Sequence, residues 1–119
     1  VAFIVTAEDR TVYHAGDLNW WHWEGEPDQE NQDMAEQYKA EIDQIAGRSF
    51  DAAFVPLDPR LQDAYGYGMD YFLTHTKANA VFPMHMWDKY DWIDKYIRTE
   101  TGASYRDVIN KITAPGDTF

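Results

Sequence analysis

Short apolar runs of strand length alternate along this chain with segments of helical periodicity, and this order constrains the fold more than any other feature. The strand-like runs, rich in β-branched and aromatic residues, lie at residues 1–6, 11–14, 51–57 and 79–83. The helical segments lie at residues 28–47, 65–75 and 89–99, and residues 104–112 are predicted as a last short helix or strand. Strands that alternate with helices after an initial hairpin predict a layered α/β domain.

The first hairpin and the first helix carry the clearest local signals. Four turn-type residues, 7–10, separate the first two strand-like runs, which is typical of a hairpin connection. In the segment 28–47 one apolar stripe recurs at spacings of three and four, formed by Met34, Tyr38, Ile42 and Ile45. Gly47 is the expected stop of this helix.

The charge and the absence of cysteine exclude several classes of function. The formal net charge of -11 repels phosphate backbones and anionic membranes, so neither nucleic acid nor a membrane surface is expected as a partner. The chain has no cysteine, so any metal ion must be held by His, Asp or Glu, which suits zinc, manganese or iron. No apolar run approaches the roughly 20 residues of a membrane span and no signal peptide is recognised, so a cytoplasmic location is expected.

Asp17 and His85 are the residues best placed for chemistry. Each follows a short apolar strand, at the point where the chain leaves the predicted sheet. Ligand sites of layered α/β folds gather at strand ends, where loops converge above a rigid sheet. A carboxylate can bridge two cations and a neutral imidazole binds one, so the pair suits a shared site for two ions. A turn-forming Asp and a hydrogen-bonded strand-end His are the structural alternatives.

The residues around this pair resemble two motifs of the metallo-β-lactamase superfamily. The run Tyr-His-Ala-Gly-Asp-Leu-Asn at 13–19 is similar to the fourth metal motif, in which a strand ends in Gly-Asp. The run Phe-Pro-Met-His-Met at 82–86 resembles the fifth motif, whose single His binds one metal ion. The resemblance is nearest to the bacterial lactonase-like branch of metal-dependent hydrolases. It implies that Asp17 bridges two ions, expected to be zinc, and that His85 binds one of them.

The resemblance covers only the second half of the superfamily domain. The His-x-His-x-Asp-His run and the third-motif His of the first half are missing, since the chain has only His14, His22, His75 and His85. We therefore expect residues 1–119 to form the C-terminal half of an αββα sandwich and to be a fragment, because the chain opens directly on a strand. The expected partner is the N-terminal half of the same domain, or a second copy of the chain.

Five further residues are candidates for the substrate pocket or for contacts that orient the metal ligands: His14, Asn19, Trp20, His22 and Asp58. Each has a structural alternative. His14 could be a packed strand histidine, and the aromatic residues 20–23 could form a hydrophobic plug instead of a pocket wall. Asp58, with Arg60, could contact substrate or lie in a solvated turn. His75 is interpreted as a helix-end residue, where imidazolium favours the helix dipole.

Two functions from different classes follow. The first is a metal-dependent hydrolase of a small ester, lactone or phosphorylated metabolite, in which the isolated chain has little activity because half of the ligands are missing. The second is a non-catalytic acidic half-domain that pairs with another chain through its exposed apolar face, or that binds a ligand through its tryptophan cluster.

Overall fold

The computed structural model describes residues 2–86 and 89–110, and these form a mixed sheet with helices packed on one side. The strands are β1 (Phe3–Ala7), β2 (Arg10–His14), β3 (Ser49–Phe50), β4 (Ala52–Pro56), β5 (Lys77–Ala78) and β6 (Val81–Met84). The helices are α1 (Asp28–Asp43), α2 (Tyr67–His75), α3 (Asp91–Ile97) and α4 (Glu100–Ser104), with a 3-10 helix at Pro59–Ala64. Among the described residues, none of these helices has both the length and the apolar composition needed to cross a membrane.

The main sheet has the strand order β1-β2-β4-β6. β1 and β2 pair antiparallel, as a hairpin, whereas β2, β4 and β6 run parallel to one another. The short strands β3 and β5 form a second, parallel pair. The predicted α/β class is therefore confirmed, and the hairpin and the three helices lie where the sequence places them.

The boundaries differ from the predictions where turns compete with regular structure. The helix predicted at 28–47 ends at Asp43, and the chain turns through Gly47, whose φ of +81° is available to glycine at little cost. The prediction of one element at 104–112 is wrong over its described part, because α4 ends at Ser104 and Ile109 makes only an isolated bridge to Val81. Residues 111 and 112, like Val1, lie outside the described residues.

One face of the sheet is covered by α1 and α2 and carries the main core. Tyr13, Ala53 and Val55 alternate along β2 and β4 toward this face and are buried. Phe72 of α2 stacks on Tyr13 with ring centroids 4.9 Å apart, and α1 contributes buried residues to the same core. The apolar stripe predicted for α1 is buried at Tyr38 and Ile42 and half-buried at Met34 and Ile45.

The opposite face of the sheet is apolar but remains open. Residues in register point to the same face, and one such row crosses all four strands: Phe3, His14, Phe54 and Phe82. The rings of Phe54 and Phe82 stack at 5.0 Å, and His14 stacks on Phe54 at 5.5 Å. Phe3 is 56% exposed, and Phe54 and Phe82 are each partly exposed. Below, this row with its neighbours Val5 and Met84 is called the open face.

Candidate metal centre

Three parallel strands end at the same edge of the sheet, and each is followed by a residue of the candidate site. Asp17 comes three residues after β2, Asp58 two residues after β4, and His85 directly after β6. Backbone hydrogen bonds continue between the chain segments past the strand ends, since Ala15 N donates to Phe54 O at 2.9 Å and Leu57 N donates to Met84 O at 2.8 Å. The three loops are therefore held side by side at this edge.

A tight turn presents Asp17 to solvent. Gly16 has a φ of +59°, and Leu18 N donates to Ala15 O at 2.9 Å, which closes the turn. The His14 ring supports it, because its Nδ1 accepts a hydrogen bond from Gly16 N at 3.0 Å. His14 is exposed on the open face, so its role here is to hold the turn and not to pack inside the core. The Asp17 side chain remains 89% exposed.

His85 faces Asp17 across this edge. Its Nε2 lies 3.5 Å from Asp17 Oδ1 and 3.1 Å from the carbonyl oxygen of Gly16. The two side chains that the sequence places at parallel positions are thus brought together. A carbonyl oxygen only accepts, so Nε2 carries the proton in the hydrogen bond to Gly16. A metal ion on Nε2 would replace that proton.

The backbone of His85 is strained. Its φ of +66° lies in the left-handed region, which costs a residue with a Cβ of the order of 1 kcal/mol or more. Such positions persist where the surrounding structure fixes them, and they concentrate at functional sites. The left-handed turn directly after β6 carries the ring to the Gly16–Asp17 turn.

Asp58 lies behind His85 and is fully buried, so its interpretation as a residue of a solvated turn is wrong. Its carboxylate receives a bidentate ion pair from Arg60, with Nη2 at 2.7 Å from Oδ2 and Nε at 3.0 Å from Oδ1. This pairing satisfies the buried charge and raises the pKa of the Arg60 guanidinium. Asp58 Oδ2 is also 4.0 Å from His85 Nδ1, the ring nitrogen that points away from Asp17.

Two tryptophans form a wall beside the Asp17–His85 pair. Trp21 donates from its indole Nε1 to Asp17 O at 3.0 Å and packs edge-on against His85 at 6.1 Å. Trp23 stacks on Trp21 with parallel rings 5.6 Å apart. The guanidinium of Arg60 lies over the other end of this stack, 5.5 Å from the Trp23 ring. The wall therefore runs from His85 to Arg60.

Trp20, His22 and Asn19, which the sequence also nominates, turn toward the helices. Trp20 packs on Tyr67 at 5.3 Å, beneath Lys39, and His22 packs edge-on against the same Tyr67 at 5.5 Å. Asn19 is buried against Gly68, and its side-chain Nδ2 makes no hydrogen bond. A cavity of about 490 Å³ opens on this side, lined by Trp20, Tyr67, Asp70, Tyr71 and Thr74. These three residues thus belong to the packing of the loop on α1 and α2.

The sequence offers the whole aromatic run 20–23 as a pocket wall or a hydrophobic plug, but it does not show that Trp21 and Trp23, and not Trp20 and His22, lie beside Asp17 and His85. A signal was present, because neighbouring side chains of an extended segment point to opposite sides. Trp20 and His22 share one side and Trp21 and Trp23 share the other. Only the hydrogen bond from Trp21 to Asp17 O decides which side meets the Asp17–His85 pair. Because Arg60 lies two residues after Asp58, the sequence indicates it as the partner of Asp58. The sequence does not indicate that Asp58 is buried.

The donor chemistry of the pair fits two ligand positions of a divalent metal site. An exposed carboxylate and an imidazole nitrogen 3.5 Å apart are both ligands that zinc, manganese and iron accept. Within residues 2–86 and 89–110, no group of three or more His, Asp or Glu side chains is arranged to hold an ion. Since catalytic zinc sites use three protein ligands, the pair needs further donors.

Comparison with known proteins adds no relative, since no family model, curated protein or solved structure matches the chain.

Proposed function

We propose that this chain supplies part of a metal-dependent hydrolase of the metallo-β-lactamase type, acting on a small ester, lactone or phosphorylated metabolite. The observation that supports it most is the approach of His85 Nε2 to Asp17 Oδ1 at the edge where three parallel strands end. The two motifs that suggested the superfamily thereby meet in space, although Asp17 and His85 are 68 positions apart in the sequence.

The open face supports the finer proposal that the chain is the C-terminal half of an αββα sandwich. In that architecture two sheets pack face to face and helices cover the outer sides. Here α1 and α2 cover one face, and the open face presents the apolar row from Phe3 to Phe82. Its natural cover is a second sheet with an apolar face, about 10 Å away. The N-terminal half of the domain would bring this sheet together with the missing metal ligands.

In this mechanism Asp17 and His85 would hold the ions, together with the donors of the missing half. A divalent metal ion supplies Lewis-acid activation of water and of the scissile carbonyl or phosphoryl group. Asp17 offers both carboxylate oxygens to solvent, so it can hold two ions and offset part of their charge. His85 gives one nitrogen, Nε2, after it releases its contact with Gly16 O.

Asp58 and the tryptophan wall prepare the ligands. Asp58 Oδ2 lies 4.0 Å from His85 Nδ1, so once Nε2 gives up its proton and its contact with Gly16 O, the carboxylate would favour the ring form in which Nδ1 carries the proton and Nε2 can bind an ion. Trp21 fixes the Gly16–Asp17 turn through its bond to Asp17 O and covers one side of the His85 ring. These contacts limit the motion of both ligands before an ion binds.

The test uses the complete domain that this proposal requires, loaded with zinc, manganese or iron. Metal content is measured by elemental analysis, and turnover is measured on a panel of esters, lactones, phosphomonoesters and phosphodiesters. We expect Asp17→Ala to lose most of the bound metal and all measurable turnover. We expect His85→Ala to lose one ion preferentially. His75→Ala is the control, because His75 stacks on Tyr71 at 3.9 Å at the end of α2.

Full metal occupancy and unchanged turnover in Asp17→Ala would contradict the proposal. The alternative, a non-catalytic acidic half-domain that associates through its apolar surface, would then lead, and the open face is the observation that favours it. Light scattering of the isolated chain further distinguishes the hydrolase proposal from the association module. A stable homodimer that is lost in Phe54→Asp, with no metal bound in any form of the protein, would support the association module.

A further inference from the structure

We propose that the cavity between the loop at residues 15–27 and α2 binds a small organic ammonium ion, whose charged end pairs with Asp70 and whose apolar body packs on the surrounding rings. This inference goes beyond the proposed hydrolase function and does not rest on it, because Asp17 and His85 are not among the residues that line the cavity.

The cavity has the size and the walls of a small-molecule site. Its volume is about 490 Å³, and such sites in proteins span about 300–1,000 Å³. Trp20 lines it on the loop side, and four residues of α2 that share one helix face line the rest: Tyr67, Asp70, Tyr71 and Thr74. A ligand in this cavity would therefore meet mainly aromatic surface and a single carboxylate.

Asp70 is the charged group of the cavity, and it lacks a counter-ion. It is half-buried, and its Oδ1 accepts a hydrogen bond from Tyr96 Oη at 2.6 Å. Within residues 2–86 and 89–110, no Lys, Arg or His side chain forms an ion pair with Asp70, and no donor reaches its Oδ2. Burial raises the pKa of Asp70, which reflects a carboxylate that is only partly compensated. A ligand cation at Oδ2 would supply the missing positive charge.

The surroundings favour an organic ammonium over a metal ion or an anion. Ring faces attract ammonium groups, and this protein has such a contact beside the cavity, because Lys39 Nζ lies 4.5 Å from the Trp20 ring centroid and 5.9 Å from that of Tyr71. Lys39 itself is not paired with Asp70 in the described part of the chain. A metal ion needs several oxygen or nitrogen donors, which an aromatic wall does not provide. The formal net charge of -11 favours the approach of cations in general.

The first experiment compares three probes of nearly equal shape by NMR titration of the metal-free protein at neutral pH. They are phenethylammonium, the neutral 2-phenylethanol and the anion 3-phenylpropanoate, and the readout is the indole resonance of Trp20 with the amides of α2. We expect phenethylammonium to bind with a Kd of about 1 mM or lower and the other two about 10-fold more weakly, because only the ammonium pairs with Asp70. Equal affinities for the ammonium and the alcohol, or no saturable response to the ammonium, would overturn the proposal.

The variant Asp70→Asn tests the ion pair directly. It keeps the shape of the side chain and an oxygen that accepts from Tyr96, so the fold should be retained. We expect the Kd of phenethylammonium to rise by about 10- to 100-fold while that of 2-phenylethanol stays the same. Asp63→Asn is the matched control, since Asp63 is exposed, does not line the cavity and changes the net charge by the same amount. Equal losses in the two variants would mean that net charge alone attracts the probe, and would overturn the site.

The variant Tyr67→Leu tests the aromatic wall. Tyr67 is 39% exposed, so its replacement should be tolerated by the fold. We expect phenethylammonium and 2-phenylethanol to lose affinity by a similar factor of about 3–10, because both have the same ring, and Tyr67→Phe should retain binding. Unchanged affinities in Tyr67→Leu would show that the probes bind elsewhere.

The variant Lys39→Gln distinguishes a cation site from an anion site. Removing a like charge beside the cavity should tighten the binding of phenethylammonium by about two- to fivefold. Weaker binding of the ammonium, or a gain in preference for 3-phenylpropanoate over it, would overturn the proposal. Because none of these measurements uses metal or turnover, loss of the ammonium site would leave the hydrolase proposal standing, and loss of the hydrolase proposal would leave the ammonium site.

Discussion

The two faces of the four-stranded sheet are built from the same strands but have different surroundings. On the covered face, Tyr13, Ala53 and Val55 are buried beneath α1 and α2. On the open face, Phe3, Phe54 and Phe82 are just as apolar but lie exposed or partly exposed. Strands of parallel sheets that are apolar on both sides are typical of sheets buried on both sides. Among the described residues the open face has no cover, which is the position that the second sheet of the proposed sandwich would occupy.

The largest expected effect is the loss of stability when Phe72, which packs on the covered face, is replaced. Phe72 is fully buried between Tyr13 and Phe50, so Phe72→Ala should lower the free energy of unfolding by about 3–5 kcal/mol through lost burial and the cavity it leaves. Chemical denaturation followed by circular dichroism measures this. A loss below about 1 kcal/mol would show that the covered face is not the main core.

A second test probes how tightly the loop at residues 15–27 is packed on the covered side. A Cβ added at Gly68 would clash with Asn19 Oδ1, so Gly68→Ala should destabilise the protein by about 1–3 kcal/mol through overpacking. The double variant Asn19→Ala/Gly68→Ala should recover part of this loss, because the closest atom is gone. A double-mutant cycle on unfolding free energies measures the recovery. Strict additivity would mean that the two residues do not touch.

The open face should respond much less in the isolated chain. Phe54→Ala removes a partly exposed ring, so the expected loss is no more than about 1 kcal/mol at micromolar protein concentration. In the complete sandwich that we propose, the same substitution should cost about 3–5 kcal/mol, because the ring would be covered there. Equal small losses in both proteins would show that the face remains open in the complete domain and would remove the support for the sandwich.

The smallest expected effect depends on pH and concerns the covered side. Burial raises the pKa of Asp70, and the hydrogen bond from Tyr96, 2.6 Å from its carboxylate, partly lowers it again. A carboxyl with a raised pKa in the folded state favours folding when it is protonated. Its contribution to stability is therefore present below the ordinary pKa of 3.8 and is lost as the pH rises through the folded value.

The Asp70→Asn variant lacks the carboxyl and should therefore lack this pH-dependent contribution to the free energy of unfolding. As the pH rises from about 3.5 to 6, the unmodified protein should lose stability relative to the variant, by less than about 1 kcal/mol. Tyr96→Phe removes the hydrogen bond that favours the carboxylate and should make the dependence steeper. Urea titrations at a series of pH values measure both. A constant difference between Asp70→Asn and the unmodified protein across the series would contradict the assignment.

The alternation of strand-like runs and helical periodicity was sufficient to predict the α/β class, the hairpin and the three main helices. It could not predict the 3-10 helix at Pro59–Ala64 or the short pair β3 and β5, which depend on local turns and long-range contacts. At the candidate site, the strand-end positions of Asp17 and His85 carried the prediction. The burial of Asp58 cannot be predicted from the sequence, because an Asp-Pro-Arg sequence resembles a solvated turn. The approach of Asp58 to His85 is a long-range contact that only the fold creates.

The left-handed backbone of His85 has a consequence for how this protein can be improved. A glycine at that position would adopt a φ of +66° with little strain, so His85→Gly should relieve backbone strain while it removes the imidazole. A laboratory selection for thermal resistance alone would thus favour loss of this side chain, whereas the proposed hydrolase function requires it. Engineering for thermal stability would favour glycine at this position, whereas engineering for the proposed activity would favour histidine.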